Sequence, residues 1–125
     1  MYTITKEFEF SASHQLLYLA EGHPCSRLHG HNYRIRIECK NAVLNKAGFV
    51  LDYHELEGIK TWLNEMIDHE HLNNLMEENP TAENIATMIY RYVKHTLKIW
   101  QISAVEVSET PKTNCRYEPD YNTKL

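Results

Sequence analysis

The chain has 125 residues, 42% of them hydrophobic and 24% charged, with a net charge of −4, enough for one ordinary domain that buries roughly two-thirds of its unfolded surface. Its 13 basic residues are outnumbered by 17 acidic ones and form no run, which argues against a nucleic-acid partner. No apolar stretch nears the roughly 20 residues of a membrane span, and the charged, alternating start MYTITKEFEF is no signal peptide, so a cytoplasmic protein without a membrane partner is expected.

Residues 3–14 alternate with period two: Phe8, Phe10, Ala12 and His14 share one face, while Glu7, Glu9, Ser11 and Ser13 share the other. This predicts a half-buried strand. Residues 18–27 hold Gly22 and Pro24 and read as a loop. Alternation returns in HGHNYRIRIECK, with His29, His31, Tyr33, Ile35, Ile37 and Cys39 on one face. After a turn over 41–48, Phe49, Val50 and Leu51 suggest a short third strand. Asp52 is a helix N-cap candidate with Glu55 three positions on, and Leu56, Ile59, Trp62, Leu63, Met66 and Ile67 follow at helical spacing, predicting about four turns. A second helix starts after Pro80, which suits a helix entrance, with Thr81 as cap; Ile85, Met88, Ile89, Tyr92, Val93 and Leu97 form its stripe. Residues 102–110 read as a strand with Val105, Val107 and Glu109 on one face, and 115–119 as a last one. The pattern is α+β, in one domain spanning 1–125.

Four candidate groups carry chemistry. His14, His29 and His31 fall on strand faces that are otherwise apolar, and two histidines at i and i+2 project the same way. Such residues can simply hydrogen-bond within a core, but three converging on one face match a catalytic zinc set with an open position. Gly30, between two of them, allows another backbone to approach closely. Cys25, in the loop before His29, is either an inert thiol or a base or nucleophile whose thiolate is favoured beside a metal. Asp68 and His69 end the first helix: either the histidines there merely complement its dipole, or the two form an acid–histidine pair that moves protons. Glu109, continuing an inward face, either reaches solvent or anchors a ligand with two N–H donors. Cys39 follows the apolar alternation and reads as packing. All three cysteines read as reduced thiols, and His23, His54, His71 and His95 read as surface.

FSASH, CSRLHGHNY, VLDYHEL, IDHEHLN, NPTAEN and SET, in this order and spacing, resemble the 6-pyruvoyltetrahydropterin synthase superfamily over about residues 4–117. The three residues between Cys25 and HGH resemble the branch of the queuosine pathway that forms carboxypterins; pyruvoyl-forming relatives usually have a longer gap. The resemblance implies a tunnelling fold: a four-stranded antiparallel sheet with two helices on one face in ββααββ order, assembled into a homo-oligomer, commonly a hexamer of two trimers, with shared active sites. It also implies Zn2+ on His14, His29 and His31, Cys25 as proton acceptor, and Asp68 with His69 as relay from the adjacent subunit. Glu109 would hold the pterin, with Thr81 and Glu83 nearby. The implied substrate is 7,8-dihydroneopterin triphosphate, giving a 6-carboxypterin, acetaldehyde and triphosphate, with Arg27 a triphosphate candidate by position. A pyruvoyl-forming enzyme, a folate-pathway side-chain lyase and a non-catalytic zinc scaffold are the alternatives. One departure is Glu70, where relatives often carry a second histidine.

Overall fold

Two long antiparallel strands, β1 (Tyr2–His14) and β2 (His29–Asn41), pair along their whole length from Tyr2 opposite Asn41 to His14 opposite His29. The computed structural model to which they belong describes residues 1–120. The period-two pattern accounts for what they bury. Phe8, Phe10, Ala12 and His14 of β1 and Tyr33, Ile35, Ile37 and Cys39 of β2 are buried, whereas Glu7, Glu9, Arg34 and Arg36 between them are exposed. The exposed face is held by cross-strand ion pairs, with Arg36 2.7 Å from Glu7 and Arg34 4.0 Å from Glu9. Exposed pairs of this kind add only about 0–1 kcal/mol each.

The first helical region runs over residues 53–67. It opens with a 3-10 turn (Tyr53–Leu56) capped by Asp52, whose carboxylate accepts from the His54 N–H at 2.9 Å. It continues as α1 (Glu57–Trp62) and widens into a π turn (Leu63–Ile67). The expected four turns are therefore present, though not as one uniform helix. Helix α2 (Ala82–Arg91) is capped by Thr81 Oγ1, which accepts from the Asn84 N–H at 3.2 Å, and also ends in a π turn (Tyr92–Thr96). Leu56, Ile59, Leu63 and Ile67 meet Ile85, Ile89 and Val93 and the inward residues of β1 and β2 in one core. Burying each such side chain contributes about 1.5–3 kcal/mol.

The strands β3 (Glu70–His71), β4 (Ile102–Ser108) and β5 (Cys115–Tyr117) complete a five-stranded sheet in the order β3-β1-β2-β4-β5. β1, β2, β4 and β5 are antiparallel neighbours, but β3 runs parallel to β1, pairing Ala12 with Glu70 and Ser13 with His71. This corrects the expected four-stranded antiparallel sheet and its ββααββ order: a short strand separates the two helices. The expected strand at 49–51 is absent. Phe49 is exposed while the consecutive Val50 and Leu51 are both buried, so these residues fill the core as a bend rather than alternating across a sheet. Both C-terminal strands are shorter than expected, so Glu109 lies just beyond the end of β4. Among the described residues no helix is long and apolar enough to cross a membrane.

Candidate metal centre and its surroundings

His14 ends β1 and His29 begins β2 directly opposite it, while His31 lies one inward position further along β2. Their ring nitrogens lie within 4.8 Å of one another, the metal-compatible cluster found among the described residues. Gly30, between the two β2 ligands, is needed for close approach: a Cβ there would sit 3.1 Å from the Ala12 carbonyl oxygen, against backbone that cannot swing away.

Hydrogen bonding fixes which nitrogens are free. His14 Nδ1 lies 2.8 Å from the Pro80 carbonyl, and His29 Nδ1 lies 2.7 Å from the Arg27 carbonyl. A carbonyl can only accept, so both Nδ1 atoms carry the proton and both neutral rings present a bare lone pair at Nε2. Those two Nε2 atoms face each other at 2.9 Å, and His31 Nε2 is buried with no hydrogen-bond partner among the described residues. Two lone pairs aimed at each other repel, and an orphaned buried nitrogen is costly. A cation coordinated by all three relieves both, so the donor set fits a metal. Burial holds the His14 and His31 imidazoles below their ordinary pKa, with the Pro80 carbonyl (for His14) and the nearby Glu109 carboxylate opposing. Both rings are thereby kept in the neutral form that a metal ligand needs.

Tyr33 backs this cluster. It is fully buried, stacks on Phe10 at 4.9 Å and sets its hydroxyl 3.2 Å from His14 Nδ1. Glu109 stands on the open side, with its carboxylate 3.8 Å from His31 Nε2, beyond hydrogen-bond reach. It opens on a cleft of about 540 Å³ lined also by His31, Tyr33, Thr110 and Pro111, a volume suited to a small molecule. Cys25 is half-buried in a 3-10 turn (Pro24–Ser26) whose carbonyl accepts from the Leu16 N–H, two residues beyond His14. Arg27 is exposed and contributes its carbonyl to His29.

Asp68 and His69 are brought together, but away from the imidazole cluster. Asp68 Oδ1 accepts from the Ser11 N–H at 2.8 Å, Asp68 Oδ2 lies 2.8 Å from His69 Nδ1, and the His69 N–H donates to the Ser11 carbonyl. The Ser11 N–H, and then His69, hold the Asp68 carboxyl below its usual range. His69 sits in the left-handed region at φ +64, which histidine enters more readily than most residues. Its exposed ring lines a shallow cleft with Ser11, Ser13, Gly30, His31 and Asn32. The alternation of β1 and β2 turns Ser11, Ser13 and Asn32 to the outward face of the sheet and the His14, His29 and His31 side chains to the inward one, so that only His31 borders both.

Thr81 Oγ1 is engaged as the α2 cap and the adjacent Pro80 carbonyl reaches His14; Glu83, in the first turn of α2, is exposed and lies near Cys115. Cys39 is buried, and its thiol is pushed up to about 12 by burial and the Glu38 charge, as suits a packing residue. His71 is not simply surface: it joins β3, and its Nδ1 lies 2.9 Å from Ser13 Oγ. The Pro80 and Arg27 carbonyls and the Ser11 backbone escaped sequence reading, since a backbone group leaves no residue-type signal.

The sequence model of the 6-pyruvoyl tetrahydropterin synthase family matches residues 3–120. The chain is 35% identical over 123 residues to a 6-carboxy-5,6,7,8-tetrahydropterin synthase of Synechocystis, covering 94% of this chain and 93% of that one. It is 28% identical over 145 residues to the protein of the same name in Haemophilus influenzae, covering 94% and 99%. In three dimensions it is similar to a 6-pyruvoyl tetrahydropterin synthase of Caenorhabditis elegans, with a TM-score of 0.84, 25% identity and coverage of 95% and 96%.

Proposed function

Since the chain belongs to the 6-pyruvoyl tetrahydropterin synthase family, we propose that it is a zinc-dependent carbon–carbon lyase of the carboxypterin-forming kind. It converts 7,8-dihydroneopterin triphosphate and one water to 6-carboxy-5,6,7,8-tetrahydropterin, acetaldehyde and triphosphate, in queuosine biosynthesis in the cytoplasm. The observation that carries the reading is the pair of facing Nε2 lone pairs on His14 and His29, beside the orphaned Nε2 of His31. The likeness to carboxypterin synthases over 94% of the chain and the three-residue gap between Cys25 and His29 support the choice of product.

His14, His29 and His31 would hold the zinc, which would supply Lewis-acid polarisation of the substrate side chain. The remaining roles belong to side chains of the protein. Cys25 takes a proton from the side-chain carbon of the substrate. Asp68 accepts from His69 Nδ1–H, leaving Nε2 of that ring to receive or return a proton, a service worth typically about 10²–10⁴-fold. Glu109 accepts from the two-donor edge of the pterin, its 2-amino group and ring N–H. Thr81, whose oxygen caps α2, keeps its hydroxyl proton free to donate, and Glu83 lies in the first turn of that helix.

Asp68 and His69 serve a neighbouring chain, because the His69 ring is exposed and stands outside the cluster of His14, His29 and His31 in its own chain. The protein is therefore a homo-oligomer with shared sites, a hexamer closed through its sheet edges, which also covers edge strands that would otherwise invite aggregation. Incubating the zinc-loaded protein with 7,8-dihydroneopterin triphosphate and reading products by mass spectrometry tests this. A 6-carboxypterin with acetaldehyde is expected; a pyruvoyl or hydroxymethyl pterin overturns the assignment.

A further inference from the structure

The outer edge of β1 is paired well beyond the strand's last residue. In an extended chain alternate residues present their N–H and C=O to the same side. On this side Ser11 is bonded by Asp68 and His69, and Ser13 stands opposite His71 of β3. The next two positions on that side have no strand beside them, yet both are satisfied. Gln15 donates its N–H to Asn73 Oδ1 at 2.9 Å and accepts from Asn73 Nδ2 at 2.8 Å. Leu17 donates to Asn79 Oδ1 at 2.8 Å and accepts from Asn79 Nδ2 at 2.9 Å. Each asparagine amide thus replaces one peptide of a missing strand, and only one orientation of the amide makes both bonds. Tyr18 then turns away at φ +63.

The residue between the two clamps faces the other way. Leu16 N–H donates to the Cys25 carbonyl at 3.1 Å, so the turn bearing Cys25 hangs on a segment whose position Asn73 and Asn79 set. The residue after Asn79 is Pro80, whose carbonyl orients the His14 ring. We infer that Asn73 and Asn79 are positioning residues that hold the Cys25 turn in register with the metal centre; this rests on the reading of Cys25 as proton acceptor. Asn79, adjoining the His14 anchor, carries the larger share.

The test uses zinc-loaded protein and four variants: Asn79→Ala, Asn79→Asp, Asn73→Ala and Asn45→Ala. Asn79→Asp keeps size and acceptor but sets a carboxylate oxygen against the Leu17 carbonyl. Asn45→Ala is the control, since it removes side-chain bonds to the Ala47 and Phe49 N–H groups in a turn that contributes nothing to the site. A displacement of the reacting group costs on the order of 10²-fold, so Asn79→Ala should lose about that in kcat, with KM changed by less than about threefold and zinc retained. Asn79→Asp and Asn73→Ala should lose less, and Asn45→Ala should keep its kcat. Hydrogen exchange of the Leu16 amide should quicken in both Asn79 variants. That arm needs no substrate, so it judges the clamp even if the wild-type protein fails to form the pterin product. Unchanged Leu16 protection in both Asn79 variants overturns the proposal. So does full kcat in both, loss of zinc in step with activity, or an equal loss in Asn45→Ala.

Discussion

The two clusters of ionisable groups near His14 and Ser11 differ in almost every physical respect. The three histidines sit on the helix-covered face, and each of two rings is fixed by a carbonyl so that the free nitrogens converge. The Asp68–His69 pair is pinned to the β1 backbone, but its imidazole is 82% exposed on the opposite face. One cluster brings its three imidazole nitrogens together within a single chain and fits a cation; the other is oriented within the chain and leaves its ring open to the outside. In the proposed assembly, what this open imidazole meets is the site of a neighbour.

The comparison breaks most readily at the histidines. His29→Ala or His31→Ala should strip the metal and with it essentially all turnover, since three protein ligands are the minimum for such a site; metal analysis after gel filtration checks this. Next, Cys25→Ala and His69→Ala should each keep the metal and the fold while losing about 10²–10⁴-fold in turnover. If His69→Ala released the metal, the two clusters would not be separate.

A smaller effect is expected in the pH dependence of the metal-free protein. Burial lowers the folded-state pKa of His14 and His31 below the ordinary 6.5, so the unfolded chain takes up these protons first. Their contribution is present above about pH 6.5 and is lost as pH falls through the lowered values. The Asp68 carboxyl, lowered from 3.8 by the Ser11 N–H, makes its contribution above that pH and loses it only in stronger acid. Melting temperature followed against pH should show the first loss unchanged in Asp68→Asn. The smallest effect is Tyr33→Phe, which removes one hydroxyl 3.2 Å from His14 Nδ1 and should weaken metal binding by no more than about tenfold.

What could be read from sequence follows from the range of the forces involved. β1 and β2 were legible because their faces differ at every second residue, and the caps at Asp52 and Thr81 because a short oxygen-bearing side chain at a helix entrance has few other uses. The three histidines were legible for the same reason: they interrupt an apolar face. Val50 and Leu51 misled, since a short apolar run signals burial without specifying a strand. β3 was invisible, because two polar residues become a strand only through the Ala12 and Ser13 backbone they meet, far away in the sequence. The placement of His69 on the outward face was hidden as well, since it depends on one left-handed residue at the end of a helix.

The central claim is that one active site is built from the histidines and Cys25 of one chain and the Asp68–His69 pair of another. Subunit mixing tests it most directly. Cys25→Ala and His69→Ala proteins, each inactive alone, are dissociated together, reassembled with zinc and assayed for pterin product. Recovery of part of the wild-type activity is predicted, because mixed boundaries reunite an intact Cys25 with an intact His69. No recovery from a correctly reassembled mixture, or full wild-type activity in a monomer, contradicts the account.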